Sequence, residues 1–107
     1  MQKLSGEKNR AKEAGVEPRE FVLCLYVIGA SPNSARAIAN LKAICERYLD
    51  GRYSLEIIDV YQHPGIARAE GIVALPLLIK RKPDPQRKLI GDLRDTERVL
   101  KGLGIKL

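Results

Sequence analysis

Residues 21–28 read FVLCLYVI and residues 54–60 read SLEIIDV, with a helical pattern between them. The first run is apolar throughout and rich in β-branched and aromatic side chains, which is typical of a strand covered on both faces. The second run is also a strand candidate. Two strands joined by a helix form a βαβ unit, whose strands run parallel with a right-handed crossover. These residues predict an α/β domain.

The helix between the two strands has signals at both ends. Ser31 is a favourable N-cap, and Pro32 suits the first helical position because an N–H would have no partner there. An apolar stripe follows at three- and four-residue steps: Ile38, Leu41, Cys45 and Tyr48. Gly51 then ends the helix, since glycine adopts the left-handed geometry that a helix end favours.

The second half of the chain predicts an antiparallel addition to this unit. A short helical segment at 66–70 precedes a strand at 75–80. A proline-rich turn at 82–86 separates that strand from another at 87–90, which is typical of a hairpin, and a helix covers 95–103. The predicted order is β-α-β-α-β-β-α. A central mixed sheet with helices on both faces, in this order, is the thioredoxin-like α/β fold.

Length and charge restrict the class of protein. The chain has 107 residues, which fits one domain; we expect residues 1–20 to be a flexible N-terminal extension and 21–107 to fold. Lys and Arg number 19 against 13 Asp and Glu, and the net charge of +6 favours an acidic partner. No apolar run approaches the roughly 20 residues of a membrane span, and the N-terminus lacks a secretory apolar region. We expect a cytoplasmic protein without membrane association.

The sequence contains no evident catalytic constellation. A redox-active thioredoxin needs two thiols where the first strand meets the first helix, but residues 30–34 read ASPNS there. Cys24 and Cys45 lie in apolar contexts and are expected to be buried free thiols. His63 is the only histidine, which argues against a Cys/His metal site. We expect no enzyme activity, no cofactor and no metal.

The densest basic cluster lies on both arms of the predicted hairpin: Lys80, Arg81, Lys82, Arg87 and Lys88. Charged side chains on an exposed strand discourage edge-to-edge aggregation, and this protection alone would explain the cluster. The alternative is docking to an acidic surface. Nucleic acid binding is not expected, because no ladder of aromatic residues lies between the basic ones.

Four stretches resemble the KaiB family, the small proteins of the prokaryotic KaiABC clock. They are LYVIGASPNSARAIANL (25–41), SLEIIDVYQHP (54–64), ALP (74–76) and IGDLRDTERVLKGL (90–103). The resemblance implies a non-enzymatic adaptor that binds the ATP-hydrolysing ring of KaiC and helps to sequester KaiA. It also implies self-association as a dimer or a tetramer.

The family resemblance leaves two arrangements for the C-terminal half. Clock members have a tetrameric ground state with rearranged secondary structure there, and a thioredoxin-like monomer that binds partners. Here 75–80 prefer strand and 95–103 prefer helix, so we expect the thioredoxin-like arrangement at rest. In it the Leu75–Pro76 bond is predicted to be cis, which X-Pro bonds permit at modest cost.

The chain departs from the clock members at three places. Glu56 stands where they carry a lysine used towards KaiA, Gly104 stands where they carry Asp, and residues 66–71 are less acidic. These differences argue against KaiA binding and leave a KaiC-family ATPase as the expected partner. The expected docking residues are Gln62, Ile66, Arg68, Glu70, Lys80, Arg81 and Arg87. The alternative is a stand-alone module that docks a histidine kinase or another acidic protein.

Overall fold

The structure, a computed structural model, describes residues 20–72 and 74–105. The extension predicted at 1–20 therefore lies outside the described residues, apart from Glu20. The strands are β1 (Phe21–Val27), β2 (Tyr53–Asp59), β3 (Leu77–Lys82) and β4 (Arg87–Ile90). The helices are α1 (Pro32–Tyr48), α2 (Pro64–Glu70) and α3 (Thr96–Leu103). No helix in this part of the chain is long and apolar enough to cross a membrane.

The strands form one mixed sheet in the order β2-β1-β3-β4. β1 and β2 are parallel, whereas β3 is antiparallel to both β1 and β4. The predicted βαβ unit, the hairpin and the thioredoxin-like order are confirmed. β2 and β4 are the edge strands, and β3 is an inner strand.

Side chains of β1 alternate between two hydrophobic clusters, because successive residues of a strand point to opposite faces of the sheet. The cluster under α1 and α3 includes Leu23, Leu25, Leu41, Val99 and Leu100. The cluster under α2 includes Cys24, Tyr26, Leu77 and Ile79. Cys24 and Cys45 are buried free thiols, as expected. The two clusters together give the sheet its cover on both faces.

Serine and aspartate side chains fix the junction between β1 and α1. Ser31 Oγ accepts a hydrogen bond from Ser34 N at 3.2 Å, which confirms the N-cap, with Pro32 as the first helical residue. The buried Ser34 Oγ accepts from Ile28 N at 3.1 Å. Asp59 Oδ1, at the end of β2, accepts from Gly29 N at 3.0 Å and from Tyr61 N at 2.9 Å. The junction is therefore tied both to α1 and to the exit of β2.

The C-terminal half has the thioredoxin-like secondary structure and not the rearranged alternative. The Leu75–Pro76 bond is cis, as predicted, and Pro76 O accepts from Gly91 N at 3.0 Å across the hairpin. Asp95 caps the N-terminus of α3 by accepting from Arg98 N at 3.1 Å. Gly104 ends α3 with a φ of 78°, a left-handed conformation that glycine adopts without the cost of a Cβ clash.

The Ser34 hydroxyl offers a direct test of the junction. We expect Ser34→Ala to lower the free energy of unfolding by about 1 kcal/mol, because Ile28 N loses the part-buried hydrogen bond to the Ser34 hydroxyl. Ser54→Ala is the matched control, since Ser54 is exposed on β2, and should change stability by less than about 0.5 kcal/mol. Urea unfolding followed by circular dichroism measures both. Equal effects of the two substitutions would contradict the role given to Ser34.

Candidate protein-docking surface

Helix α2 sits shallowly on the sheet. It has no fully buried residue; Ile66 and Ala67 are half-buried against the cluster that contains Cys24 and Tyr26. His63 precedes the helix without a side-chain capping bond, and Gly71 ends it in the left-handed conformation. A short helix held by two apolar side chains leaves most of its surface open to solvent.

An arginine bridge holds the end of α2 to the sheet. Arg81 Nη2, on β3, donates to the Tyr26 hydroxyl at 2.9 Å and to Glu70 Oε1 at 3.1 Å. Burial raises the pKa of Tyr26 to about 12, so its hydroxyl stays protonated at neutral pH. Two residues expected to bind a partner, Glu70 and Arg81, therefore contact each other and position α2.

The other expected residues of this segment lie on α2 and in the turn that precedes it. Gln62 and Arg68 are exposed, and Ile66 is half-buried. Tyr61 lies beside them and is 77% exposed. Sequence reasoning did not place Tyr61 in the site, although an aromatic residue directly after a strand exit was a usable signal. We define the docking surface as Tyr61, Gln62, Ile66, Arg68, Glu70 and Arg81.

Lys80 does not lie on the open surface that the sequence predicted for the hairpin. Its side chain is only 3% exposed, and its Nζ lies 3.4 Å from the carbonyl oxygen of Leu103 at the end of α3. The physical reason is that β3 is an inner strand, so this side chain points under α3 rather than to solvent. A cation at a helix C-terminus is favourable. Burial, reinforced by the nearby Arg87, lowers the pKa of Lys80, and Asp84 opposes the shift.

The remaining basic residues of the hairpin divide between two places. Arg81 is half-buried in its bridge to α2, while Lys82, Arg87 and Lys88 are exposed. Arg87 lies opposite Lys80 in the β3–β4 register, on the edge strand. The basic residues that lie close together in the sequence therefore do not form one patch, and only Arg87 and Lys88 lie on an edge strand.

These features define a thioredoxin-like α/β domain. Serines stand at its β1–α1 junction, and exposed polar side chains lie on α2 and the hairpin. The KaiB family model, described as the KaiB domain, matches residues 24–105. The chain belongs to this family, whose members are circadian clock proteins.

Known proteins agree with both the family and the fold. The circadian clock oscillator protein KaiB of Nostoc punctiforme is 49% identical over 87 residues, which cover 81% of this chain and 84% of that protein. The N-terminal domain of Synechococcus elongatus SasA superposes with a TM-score of 0.66 at 23% identity, covering 97% of this chain and 94% of that domain. Chloroplastic thioredoxin z superposes with a TM-score of 0.70 at 20% identity, covering 94% and 88%.

Lys80 predicts a specific pH dependence of stability. Burial holds the pKa of Lys80 in the folded state below the ordinary value of 10.5. As the pH rises towards 10.5, the folded state therefore loses the Lys80 proton before the unfolded state does. The wild-type protein should therefore gain stability relative to Lys80→Met as the pH rises from neutral towards 10.5. Urea unfolding of both proteins across this range measures the difference. A difference that does not change with pH, or that changes in the other direction, would contradict the burial of a titrating ammonium group.

The arginine bridge predicts a local effect on α2. Arg81→Gln should speed hydrogen exchange of the α2 amides, because the helix has little buried surface to hold it without the bridge. Arg52→Gln is the matched control, since it breaks the Arg52–Glu20 ion pair, which is 2.9 Å long and involves neither α2 nor β3. Hydrogen–deuterium exchange followed by mass spectrometry compares the two. Unchanged exchange over residues 64–70 in Arg81→Gln would show that the bridge does not hold α2.

Proposed function

We propose that this protein is a cytoplasmic, non-enzymatic adaptor that binds a KaiC-family ATPase. The observation that carries the proposal is membership of the KaiB family over residues 24–105, with about half of the aligned residues identical to those of clock KaiB proteins. KaiC is the partner that the resemblance to clock members implies. Self-association of the free protein as a dimer or tetramer is part of the same proposal.

The docking surface has the composition of a protein-binding surface. Protein interfaces are enriched in tyrosine and arginine, which contribute large contact areas and several donors. Tyr61 and Arg68 supply these two side chains without being needed to hold the core, since both are exposed. The Glu70–Arg81 bridge at 3.1 Å holds α2, the helix that carries Arg68, and Tyr61 lies in the turn before that helix. A prearranged surface binds with a lower entropy cost than one that must order itself.

The cysteines do not favour redox catalysis. Cys24 lies within β1, opposite Glu56, and not at the β1–α1 junction. Burial raises the pKa of Cys24, and burial raises the pKa of Cys45 to about 11. A thiol with a raised pKa forms little thiolate, which is the reactive species in disulfide exchange. These properties support a role in binding rather than in catalysis.

Glu56 supports the proposal that KaiA is not a partner. It is exposed on β2, an edge strand, at the position where the resemblance implies a lysine that clock members use towards KaiA. A carboxylate at this place reverses the charge that a KaiA-like surface would meet. Like charges brought together across an interface oppose binding.

The decisive experiment is size-exclusion chromatography of the protein with the KaiC-family ATPase of the same host, in ATP and in ADP. We expect a nucleotide-dependent complex. Arg68→Glu should weaken it by about tenfold or more, as loss of a central charged contact does. Lys42→Glu makes the same charge change on an exposed face of α1 and should leave the complex unchanged. No complex in either nucleotide would overturn the proposal, and equal loss with both variants would overturn the assignment of the surface.

A second function is a stand-alone module that docks a histidine kinase or another acidic protein through the hairpin. The observation that favours it is that Arg87 and Lys88 are exposed and make no ion pair with any described carboxylate. Under this function, reversing the charge of Arg81 and Arg87 abolishes binding to the kinase while the ATPase complex is absent in both nucleotides.

A further inference from the structure

Strand β4 is an open edge of the sheet that residues 20–72 and 74–105 form. It pairs with β3 on one side, and it is the last strand in the order β2-β1-β3-β4. An open edge presents unpaired backbone groups that can accept another strand.

The register of the hairpin shows which backbone groups of β4 face away from β3. Gly91 N donates to Pro76 O at 3.0 Å, so the backbone N–H of Gly91 points towards the β3 side of the hairpin. Hydrogen-bonded and non-hydrogen-bonded residues alternate along an antiparallel pair. Lys88 and Ile90 therefore direct their N–H and C=O groups away from β3. Neither residue makes a backbone hydrogen bond on that side to any described part of the chain.

The side chains along this edge are basic with one apolar position. Arg87 and Lys88 are exposed, and Ile90 is 52% exposed although it is a large aliphatic residue. Ile90 is on the face of Leu77, at the margin of the cluster under α2. An exposed isoleucine next to unpaired backbone groups is an aggregation hazard unless something covers it.

A groove of about 340 Å³ runs beside the edge on the α3 side, with an apolar floor that includes Leu89, Leu93 and Val99. Arg94 and Arg98 line it and are exposed. Asp92 and Asp95 also line the groove, but among the described residues neither forms an ion pair with Arg94 or Arg98. Asp92 lies 3.4 Å from Arg36 Nε and also accepts from the backbone N–H of Arg94, and Asp95 accepts from the backbone of α3 as its N-cap.

We propose that the β4 edge binds an extended acidic segment of a partner protein by strand addition. The segment's backbone pairs with the outward groups of Lys88 and Ile90. Its side chains alternate, as in any strand, between the groove on the α3 side and the Ile90 side. Acidic side chains on the α3 side meet Arg87, Arg94 and Arg98, while Lys88 lies on the Ile90 side.

A second copy of this chain is the less favourable occupant of the edge. Because β4 has only four residues, two β4 edges brought together would place the Arg87–Lys88 pair of one copy close to that of the other. Like charges facing each other across paired strands are destabilising. The charge of the edge therefore selects against self-pairing and for an acidic partner, and this proposal stands whether or not the ATPase binds.

The probe for the test is a fluorescein-labelled peptide of alternating glutamate and valine, titrated with the full-length protein and followed by fluorescence anisotropy. We expect binding that weakens with added salt. The double variant Arg87→Glu and Lys88→Glu should weaken it by at least about tenfold. Ile90→Pro should weaken it by about fivefold, the effect of one hydrogen bond. Proline is tolerated here because the Ile90 N–H points out of the sheet.

Matched controls separate strand addition from simple charge attraction. Lys42→Glu, on α1 near β2 at the other edge, should change affinity by less than about twofold. The same peptide N-methylated at alternate residues keeps its charge but loses donors, and should bind weakly. Equal binding by the N-methylated peptide, an unchanged affinity in Ile90→Pro, or no binding of the acidic peptide would each overturn the proposal. Dimerisation of the free protein that Ile90→Pro abolishes would also overturn it, in favour of a second copy.

Discussion

The burial of β1 on both faces is the constraint on which the rest of the structure depends. A strand with apolar side chains on both sides must be flanked by strands and covered by helices above and below. The parallel neighbour β2 is connected to β1 through the crossover helix α1. The antiparallel neighbour β3 is the first strand of the hairpin. α3 and α2 then complete the cover on opposite faces. The candidate docking surface and the β4 edge both lie at the margins of this arrangement.

The fold was predictable because its signals are local and agree with one another. The continuous apolar run of β1, the Ser31-Pro32 helix start and the proline-rich turn before β4 each specify one element without reference to the others. Consistency between local preference and global arrangement is the property of sequences that fold to one state. The β1–α1 junction shows the same agreement, since Ser31 and Ser34 serve both the helix start and the exit of the strand.

The site was less predictable because it depends on which face of a strand each residue occupies. Lys80, Arg81 and Lys82 are adjacent in sequence, yet one is buried under α3, one bridges to α2 and one is exposed. Side chains alternate between faces along a strand, and a register shift near Val22 and Leu23 alters the pairing with β3. The sequence shows that such a run is charged, but it does not show towards which face of the sheet each side chain points. The same limit hid the Tyr26–Arg81–Glu70 bridge, whose members lie far apart in sequence.

The carboxylate of Asp59 joins two places that the sequence keeps apart. One oxygen atom accepts the backbone N–H of Gly29 in the β1–α1 junction and that of Tyr61 in the docking surface. A change in the position of the Tyr61 backbone therefore acts on the same oxygen atom that holds Gly29, two residues before the N-cap of α1. The docking surface and the junction are thus linked through one exposed acceptor, and a movement of Asp59 changes the hydrogen bonding of both.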